Sequence, residues 1–453
     1  MVNFQNKKIG ILGLGEENVA LVLYLAKRGA LITICDKKSR EELSDFLKRI
    51  QDVKVEYRLG PDYLDHLEDF DIVFRTPGLP YLNEKIQIAK ENGVEISSEI
   101  KLFFENCPSP IIGVTGTKGK GTTTSLIGEI LKKSNKSTYV AGNIGNPPIE
   151  FLDKLIKDDI VVLELSSFQL QDLNISPHIA VVLDIKVDHL DVHKDEAEYI
   201  KAKSNIVNFQ KKNDFTVINA DYLTSFEFAL KSDGEIFWFS RRKSVDEGAF
   251  VDVNGDIILR TNHKDYKICN KKEVILRGEH NLENICAAAV ASYLAGANIE
   301  SIKEVVKTFH GLEHRLEFVT EKDGVKYYDD SFSTAPDPAI AAIRSFTEPI
   351  ILIAGGSEKN ADYVKLGEVI DHSSVKTVVL MGVTTAPRIK SVIKNSRVKI
   401  IDTAKNLGEV VEVVRSEAKS GDIVLLSPAS ASFDWFRNYK DRGNQFKELV
   451  KNQ

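Results

Sequence analysis

Short apolar runs alternate with polar or amphipathic stretches from the first residues onward, and this alternation leaves few folds open. "KIGILGLG", the helix-like "NVALVLYLAKRG", "LITICD" and "DIVFRTPG" follow one another in the first hundred residues. Strands separated by helical segments pair in parallel, because each crossover helix returns the chain to the same end of the sheet. The rhythm resumes after "ENCPSP", which reads as a linker before "IIGVTG". It resumes once more after "GLEHRLE", a candidate hinge, with "VKYYDDS", "PIILIAGG", "TVVLMG" and "DIVLLSPAS". A chain of 453 residues exceeds one ordinary core. The expected architecture is three α/β domains, over residues 1–108, 109–312 and 313–453. Some antiparallel pairing is expected around "FTVINA" and "GEIFWFS", and "GEHNLENICAAAVASYLAGA" reads as a helix.

Composition narrows the partners. With 43% hydrophobic and 28% charged residues the chain has apolar surface enough to fold, and its net charge of −6 offers no bulk attraction for nucleic acid or anionic membranes. Cys35, Cys107, Cys269 and Cys286 are too scattered for a zinc site or a disulfide framework. No run of about 18 apolar residues appears, and "MVNFQNKKIGILGLG" lacks a signal-peptide core. The expectation is a cytoplasmic protein, neither secreted nor inserted in a membrane.

The strongest chemical signal is "GVTGTKGKGTTTSLI", Gly113 to Ile127. A strand, a loop with Gly116, Thr117, Lys118, Gly119 and Gly121, and a following helix let backbone N–H groups and the helix dipole surround phosphate while Lys120 neutralises it. Lys118 reads equally as an exposed surface lysine. The usual pattern follows the loop lysine with a metal-binding Ser or Thr. Here Gly121 takes that place, and Thr122 or Glu164 is the candidate compensation. Glu164 ends the apolar strand of "VVLELSSFQL", where a carboxylate can hold Mg²⁺, although a strand-end Glu in solvent is the plain alternative. His189 in "VDHLDVH" lies at another strand end. Near the N-terminus, Gly13 and Gly15 mark a strand-to-helix turn and Asp36 ends the second strand, as in dinucleotide sites. Asn18 replaces the third glycine of that fingerprint, so a tight turn with no ligand is an equal reading.

Taken in order, "TGTKGK", "AGNIG", "ELSSFQL", "DHLD", "YIKAKSNI", "HNLEN" and "GLEHRLE" resemble the Mur ligases, ATP-dependent enzymes that build the peptide of bacterial cell-wall precursors. The resemblance implies a Rossmann-like N-terminal domain for UDP, a central P-loop ATPase-like domain with a mainly parallel sheet, and a Rossmann-like C-terminal domain for an amino acid. "SPASASFDWF" and "RGNQF" look most like the member adding glutamate, D-glutamate in the leading reading, to UDP-N-acetylmuramoyl-L-alanine. By the same resemblance Lys120 and the loop amides hold the β- and γ-phosphates, while Glu164 and His189 position Mg²⁺ or Mn²⁺. Lys203 occupies the position of a lysine that carries a metal-binding carbamate in this family. Asn281 and Asn284 lie near adenine, and Arg315 and Asp330 reach the nucleotide. Leu14, Gly15, Asp36 and Lys37 lie near uridine, and Thr76, Pro77 and Gly78 line the diphosphate. Asn143, Ser166 and Gln169 meet the muramoyl-alanine part, and Thr334, Lys359, Ser432, Phe433 and Tyr439 surround glutamate. A monomer is expected.

One departure bears on specificity. Phe332 in "YYDDSFSTAPDP" stands where D-glutamate-adding members usually place a lysine, so an L-glutamate-adding branch is the main alternative. A folylpolyglutamate-type synthase shares the ATP chemistry but would not carry the N-terminal "GLG" and "RTPG" stretches. A non-catalytic nucleotide switch would leave Lys203, Arg315 and Lys359 without a joint purpose.

Overall fold

The computed structural model describes residues 3–186, 194–358 and 361–452, and their strands form three sheets. The first contains β1 (Lys8–Leu12), β2 (Leu31–Asp36), β3 (Val55–Leu59), β4 (Ile72–Arg75) and β5 (Glu95–Ser97), all parallel in the order β3-β2-β1-β4-β5. The order reverses between β1 and β4, so the loops after these two strands flank a topological switch point, the usual ligand crevice of such sheets.

The second sheet contains β6 (Ile111–Thr115), β7 (Thr138–Gly142), β8 (Ile160–Glu164), β9 (Ile179–Val182), β10 (Phe215–Asn219), β11 (Glu235–Ser240), β12 (Gly248–Val251), β13 (Asp256–Thr261) and β14 (Lys264–Asn270). Their order is β14-β13-β12-β11-β10-β9-β6-β8-β7. β6, β8 and β9 are buried along their whole lengths, as expected of parallel strands covered on both faces. The antiparallel structure expected around "FTVINA" and "GEIFWFS" does not involve these two strands themselves. These are β10 and β11, which pair in parallel because the helix Leu223–Ala229 carries the chain back across the sheet. The antiparallel ladders come later, in β12–β13 and β13–β14. Asn262 and His263 turn the second of these hairpins, both with positive φ.

The third sheet contains β15 (Glu317–Lys322), β16 (Val325–Asp329), β17 (Ile350–Ala354), β18 (Val375–Leu380), β19 (Lys399–Ile401) and β20 (Ile423–Leu426), in the order β15-β16-β20-β17-β18-β19. β15 pairs antiparallel with β16 and the other neighbours are parallel. β15 is half-polar and only partly buried, which hid this edge strand at the end of "GLEHRLE". Among the described residues no helix is long and apolar enough to cross a membrane.

The chain forms two compact units, Met1–Glu273 with Leu282–Lys307, and Val274–Asn281 with Thr308–Gln453. The first holds two sheets that share one apolar core, with Leu21, Leu25 and Phe103 in the same buried cluster as Ile149 and Leu152. A buried ion pair crosses that core, Arg75 Nη2 to Asp172 Oδ2 at 3.3 Å. Removing one partner of such a pair leaves the other charge uncompensated away from water. Arg75→Met is therefore expected to lower the unfolding free energy by about 3 kcal/mol. Denaturant titration checks this, and wild-type stability in the variant would contradict it.

Glu99 is buried in the same region, with Oε1 accepting from Ile149 N at 2.8 Å and Oε2 without a hydrogen-bond partner among the described residues. Burial, reinforced by Glu17, pushes its carboxyl up to about 8. The unfolded chain ionises this group near the ordinary carboxylate range, so between there and about pH 8 the folded state binds more protons. Stability from this group is thus complete at low pH and is lost as pH rises through that window. Glu99→Gln keeps the Ile149 contact and removes the titration. Its stability relative to wild type is expected to rise by about 1 kcal/mol or more between pH 5 and pH 8. A pH-independent difference would contradict the assignment.

Candidate functional site

β6 ends at Thr115, the glycine-rich loop follows, and the helix Lys120–Lys133 begins at the loop lysine. Gly119 caps that helix with φ +87°, and a Cβ there would lie 2.2 Å from Asn284 Oδ1. Asn284 therefore rests directly against the loop, and only glycine admits both the left-handed turn and this approach. Lys120 Nζ donates to the carbonyls of Gly116 (3.0 Å) and Thr117 (3.2 Å). Lys203, on the helix Glu196–Ser204 and 2% exposed, donates to the same Gly116 carbonyl at 3.0 Å and to Thr115 Oγ1 at 3.4 Å. Two ammonium groups on one carbonyl at a helix N-terminus make a site that attracts anions. Thr117 is fixed by N–H donation to Asp184 O (2.7 Å) and Oγ1 donation to Lys186 O (2.8 Å). Lys118 is exposed. Of the three threonines after Gly121, Thr123 and Thr124 are fully buried, and Thr122 is partly exposed.

Glu164 at the end of β8 is 5% exposed, and its Oε1 accepts from Asn143 Nδ2 at 2.9 Å. Asn143 N also donates to Glu164 O at 2.9 Å. Ser166 and Gln169 cap the short helix Ser167–Leu170 reciprocally. Gln169 Nε2 then donates to Glu17 Oε1 at 3.0 Å, and burial raises the Glu17 carboxyl above its usual range. A cavity of about 180 Å³ opens between these segments, lined by Thr117, Lys120, Asn143, Ser166, Ser167, Phe168, Tyr199 and Lys203. It joins Thr117, Lys120, Asn143, Ser166 and Lys203, all singled out in the sequence, and adds Ser167, Phe168 and Tyr199, which were not. These three lie inside the stretches "ELSSFQL" and "YIKAKSNI". His189 and Lys359 lie outside the described residues.

At the first sheet Leu14 N donates to Asp36 Oδ2 (2.7 Å) and Lys38 N to Asp36 Oδ1 (2.9 Å). Asn18 explains the missing fingerprint glycine, since its Nδ2 donates to Gly13 O at 2.6 Å and closes the turn. Gly15 is half-buried and Lys37 exposed. Thr76, Pro77 and Gly78 follow β4 across the crevice, and Arg75 Nη1 holds the carbonyls of Thr76, Pro77 and Leu79. Its Nη2 donates to Phe168 O at 2.9 Å. Arg75 thus links the "RTPG" turn to the wall of the cavity.

The second unit gathers a separate cluster. Asp330, 5% exposed, accepts from Leu316 N (3.1 Å), Ser333 Oγ (2.5 Å) and Ser427 Oγ (2.6 Å). Burial pushes its carboxyl up to about 7 despite these donors. Next to it, His314 Nδ1 meets Asp329 Oδ2 at 2.7 Å. Arg442 is fully buried, with Nε on Ser331 Oγ (2.9 Å) and Nη2 on Ser331 O (2.8 Å), and burial lowers it to about 10. The Arg315 guanidinium lies 3.8 Å from the Phe332 ring centroid, and Tyr439 stands perpendicular to that ring at 5.0 Å. Thr334 is half-buried, Ser432 buried and Phe433 exposed. Asn281 Nδ2 donates to Arg277 O at 2.6 Å.

Residues 7–98 match the Mur ligase MurD-like N-terminal domain, residues 114–292 the Mur ligase middle domain, and residues 314–430 the glutamate ligase domain of Mur ligases. The chain belongs to the Mur ligase family. This Mur ligase is 41% identical over 453 residues to the UDP-N-acetylmuramoylalanine–D-glutamate ligase of Acetivibrio thermocellus, covering 98% of this chain and 96% of that protein. It is 43% identical to the protein of the same name from Symbiobacterium thermophilum, with 98% of each chain covered. Among solved structures the fold is similar to UDP-N-acetylmuramate-alanine ligase MurC from Thermotoga maritima (TM-score 0.57, 18% identity, 99% of this chain and 100% of that one). It is also similar to MurF from Acinetobacter baumannii (TM-score 0.60, 16% identity, 97% and 93%). The Mur ligase fold therefore persists where most side chains differ.

Proposed function

We propose that this Mur ligase uses ATP to join D-glutamate to UDP-N-acetylmuramoyl-L-alanine, forming an amide bond in peptidoglycan precursor synthesis. The observation that carries the proposal is the cavity in which Lys120 and Lys203 meet at the Gly116 carbonyl and whose lining also includes Asn143 and Ser166. Cations suited to a transferring phosphoryl group in the same cavity as polar side chains suited to the acceptor carboxylate support this reading. Relatives named for D-glutamate at 41% and 43% identity favour that isomer over L-glutamate, which Phe332 alone suggested.

In the reaction an oxygen of the alanine carboxylate attacks the γ-phosphorus, the bond from phosphorus to the ADP oxygen breaks, and an acyl phosphate forms. The glutamate amine then attacks the carbonyl carbon. The carbon–oxygen bond to phosphate breaks as the tetrahedral intermediate collapses, and the amine loses a proton. Lys120 and the loop N–H groups bind the β- and γ-phosphates, Asn281 and Asn284 take the adenine side, and Arg315 and Asp330 reach the nucleotide. Leu14, Gly15, Asp36 and Lys37 serve uridine, and Thr76 to Gly78 the diphosphate. Asn143 and Ser166 contact the muramoyl-alanine part, while Gln169 shapes its wall. Thr334, Ser432, Phe433, Tyr439 and Lys359 serve glutamate. Positioning and charge neutralisation carry most of phosphoryl transfer, which suits a site built from cations and backbone donors.

Glu164 at the strand end and the partly exposed Thr122 hydroxyl are oxygen donors of the kind a hard cation prefers, so the residues fit Mg²⁺ or Mn²⁺. Glu164, Thr122, His189 and a carbamate on Lys203 would hold the ion, which supplies neutralisation of phosphate charge. The three-part division at residues 108 and 312 would assign UDP, ATP and glutamate to successive domains of a cytoplasmic monomer. Substrate labelled with ¹⁸O in the alanine carboxylate tests the route. One label is expected in the released phosphate, and unlabelled phosphate would exclude the acyl phosphate.

A further inference from the structure

The loops after β17, β18 and β20 converge on one residue of the third sheet, Gly356. Its N–H donates to Thr385 Oγ1 at 2.9 Å, and its carbonyl accepts from Thr385 Oγ1 at 2.8 Å and from Thr384 Oγ1 at 3.0 Å. A Cβ on Gly356 would collide with the Ala431 carbonyl, so only glycine lets the loop after β20 come this close. Thr385 directly precedes the helix Ala386–Val392, a place where threonine ordinarily caps the N–H groups of the first turn. Here its hydroxyl makes no cap bond and is turned to Gly356 instead. That hydroxyl has one proton, which lies on Gly356 O, so Ser430 Oγ donates to Thr385 Oγ1 at 3.0 Å. Tyr363 Oη, 3.0 Å from Ser430 Oγ, donates in its turn, and all three side chains are buried. Ser357 carries the constraint onward. Its N–H donates to Ala431 O at 2.9 Å, and its Oγ accepts from Phe433 N at 3.0 Å. Ser432 is thereby held on both sides, and Arg442 Nη1 adds bonds to the carbonyls of Ser430 and Ala431, each at 3.2 Å.

We propose that Thr385 is a positioning residue for the amino-acid substrate, whose hydroxyl locks the Gly356–Ser357 turn and, through Ser357, the backbone on either side of Ser432. The inference rests on the glutamate role proposed above for Ser432. Valine has nearly the same shape as threonine, but it leaves the Gly356 N–H and the Ser430 hydroxyl facing a methyl group. Buried donors without a partner are costly, so the turn shifts to recover them and takes the Ser432 segment with it. A substrate held by directional bonds responds steeply to a displacement of this kind.

The test titrates D-glutamate at saturating ATP and UDP-N-acetylmuramoyl-L-alanine. Thr385→Val is expected to raise the KM for D-glutamate about tenfold, while the KM for ATP stays within about twofold of wild type. Thr385→Ser, which keeps the hydroxyl, is expected to stay within about threefold for D-glutamate. Ser430→Ala is expected to raise the same KM about two- to fivefold, and to add little in the Thr385→Val background, because the chain of hydroxyls is already broken. This milder variant decides the matter if Thr385→Val does not fold. A role confined to stability would lower the active fraction, and with it kcat, and leave every KM unchanged. An unchanged KM for D-glutamate in Thr385→Val or Ser430→Ala, an equal rise for all three substrates, or additive losses in the double variant would each overturn the proposal. Amide hydrogen exchange reads the lock without turnover. The Gly356 and Ser357 N–H groups are expected to exchange at least about tenfold faster in Thr385→Val than in wild type. A wild type that ligates no glutamate would refute the proposed activity, whereas unchanged exchange would refute the lock.

Discussion

Lys120→Ala is expected to lower kcat for amide formation by about three orders of magnitude, the scale on which removal of a cation from a transferring phosphoryl group is felt. The side chain starts the helix Lys120–Lys133 and folds over its own loop, with its ammonium on the carbonyls of Gly116 and Thr117. A polyphosphate offers the ammonium a stronger partner than these neutral carbonyls. The residue is only partly buried, and the melting temperature of the variant is expected to stay near that of wild type. Lys120→Arg is expected to rescue poorly, because a planar fork does not replace a compact point charge in a cradle of backbone groups. Steady-state rates with all three substrates check this, and an alanine variant within tenfold of wild type would remove Lys120 from the phosphate site.

Lys203→Ala is expected to lower kcat by about two to three orders of magnitude. The amine is nearly inaccessible, lies 4.9 Å from the Tyr199 ring centroid, and donates to Gly116 O and Thr115 Oγ1. A carbamate on this buried amine is the form proposed above to hold the metal. An unprotonated amine adds to CO₂, forms the N–C bond and releases a proton, and the cation becomes an anionic oxygen ligand. Enzyme equilibrated with ¹³C-bicarbonate is expected to show a carbamate carbonyl resonance that is absent from Lys203→Ala. Full activity of the alanine variant would remove Lys203 from the reaction. A missing resonance in an active wild type would leave Lys203 acting as a cation.

The phosphate loop was legible in the sequence because glycine, lysine and threonine at a strand-to-helix junction have few purposes besides surrounding an anion. The parallel core was legible for a similar reason: "IIGVT", "IVVLE" and "IAVV" carry no polar face to turn toward water. β10 and β11 are legible as strands, but their parallel direction depends on the crossover helix between them and not on the strands' own residues. Arg75 and Arg442 were not given roles at all. A single arginine in a sequence resembles a surface charge, and both are buried here by carbonyls and carboxylates from distant segments, Phe168 and Asp172 for one and Ser331 for the other. Phe332 was seen as the loss of a lysine. That the same ring carries Arg315 depends on a turn 17 residues away in sequence and could be read only from the fold.

The most direct test of the central claim is phosphate release from ATP with UDP-N-acetylmuramoyl-L-alanine, assayed with D-glutamate and with L-glutamate in parallel. The account predicts release with D-glutamate, stoichiometric with a product heavier than the UDP-substrate by one glutamyl residue, and little release with L-glutamate. Release with L-glutamate alone, or with neither isomer, would contradict it.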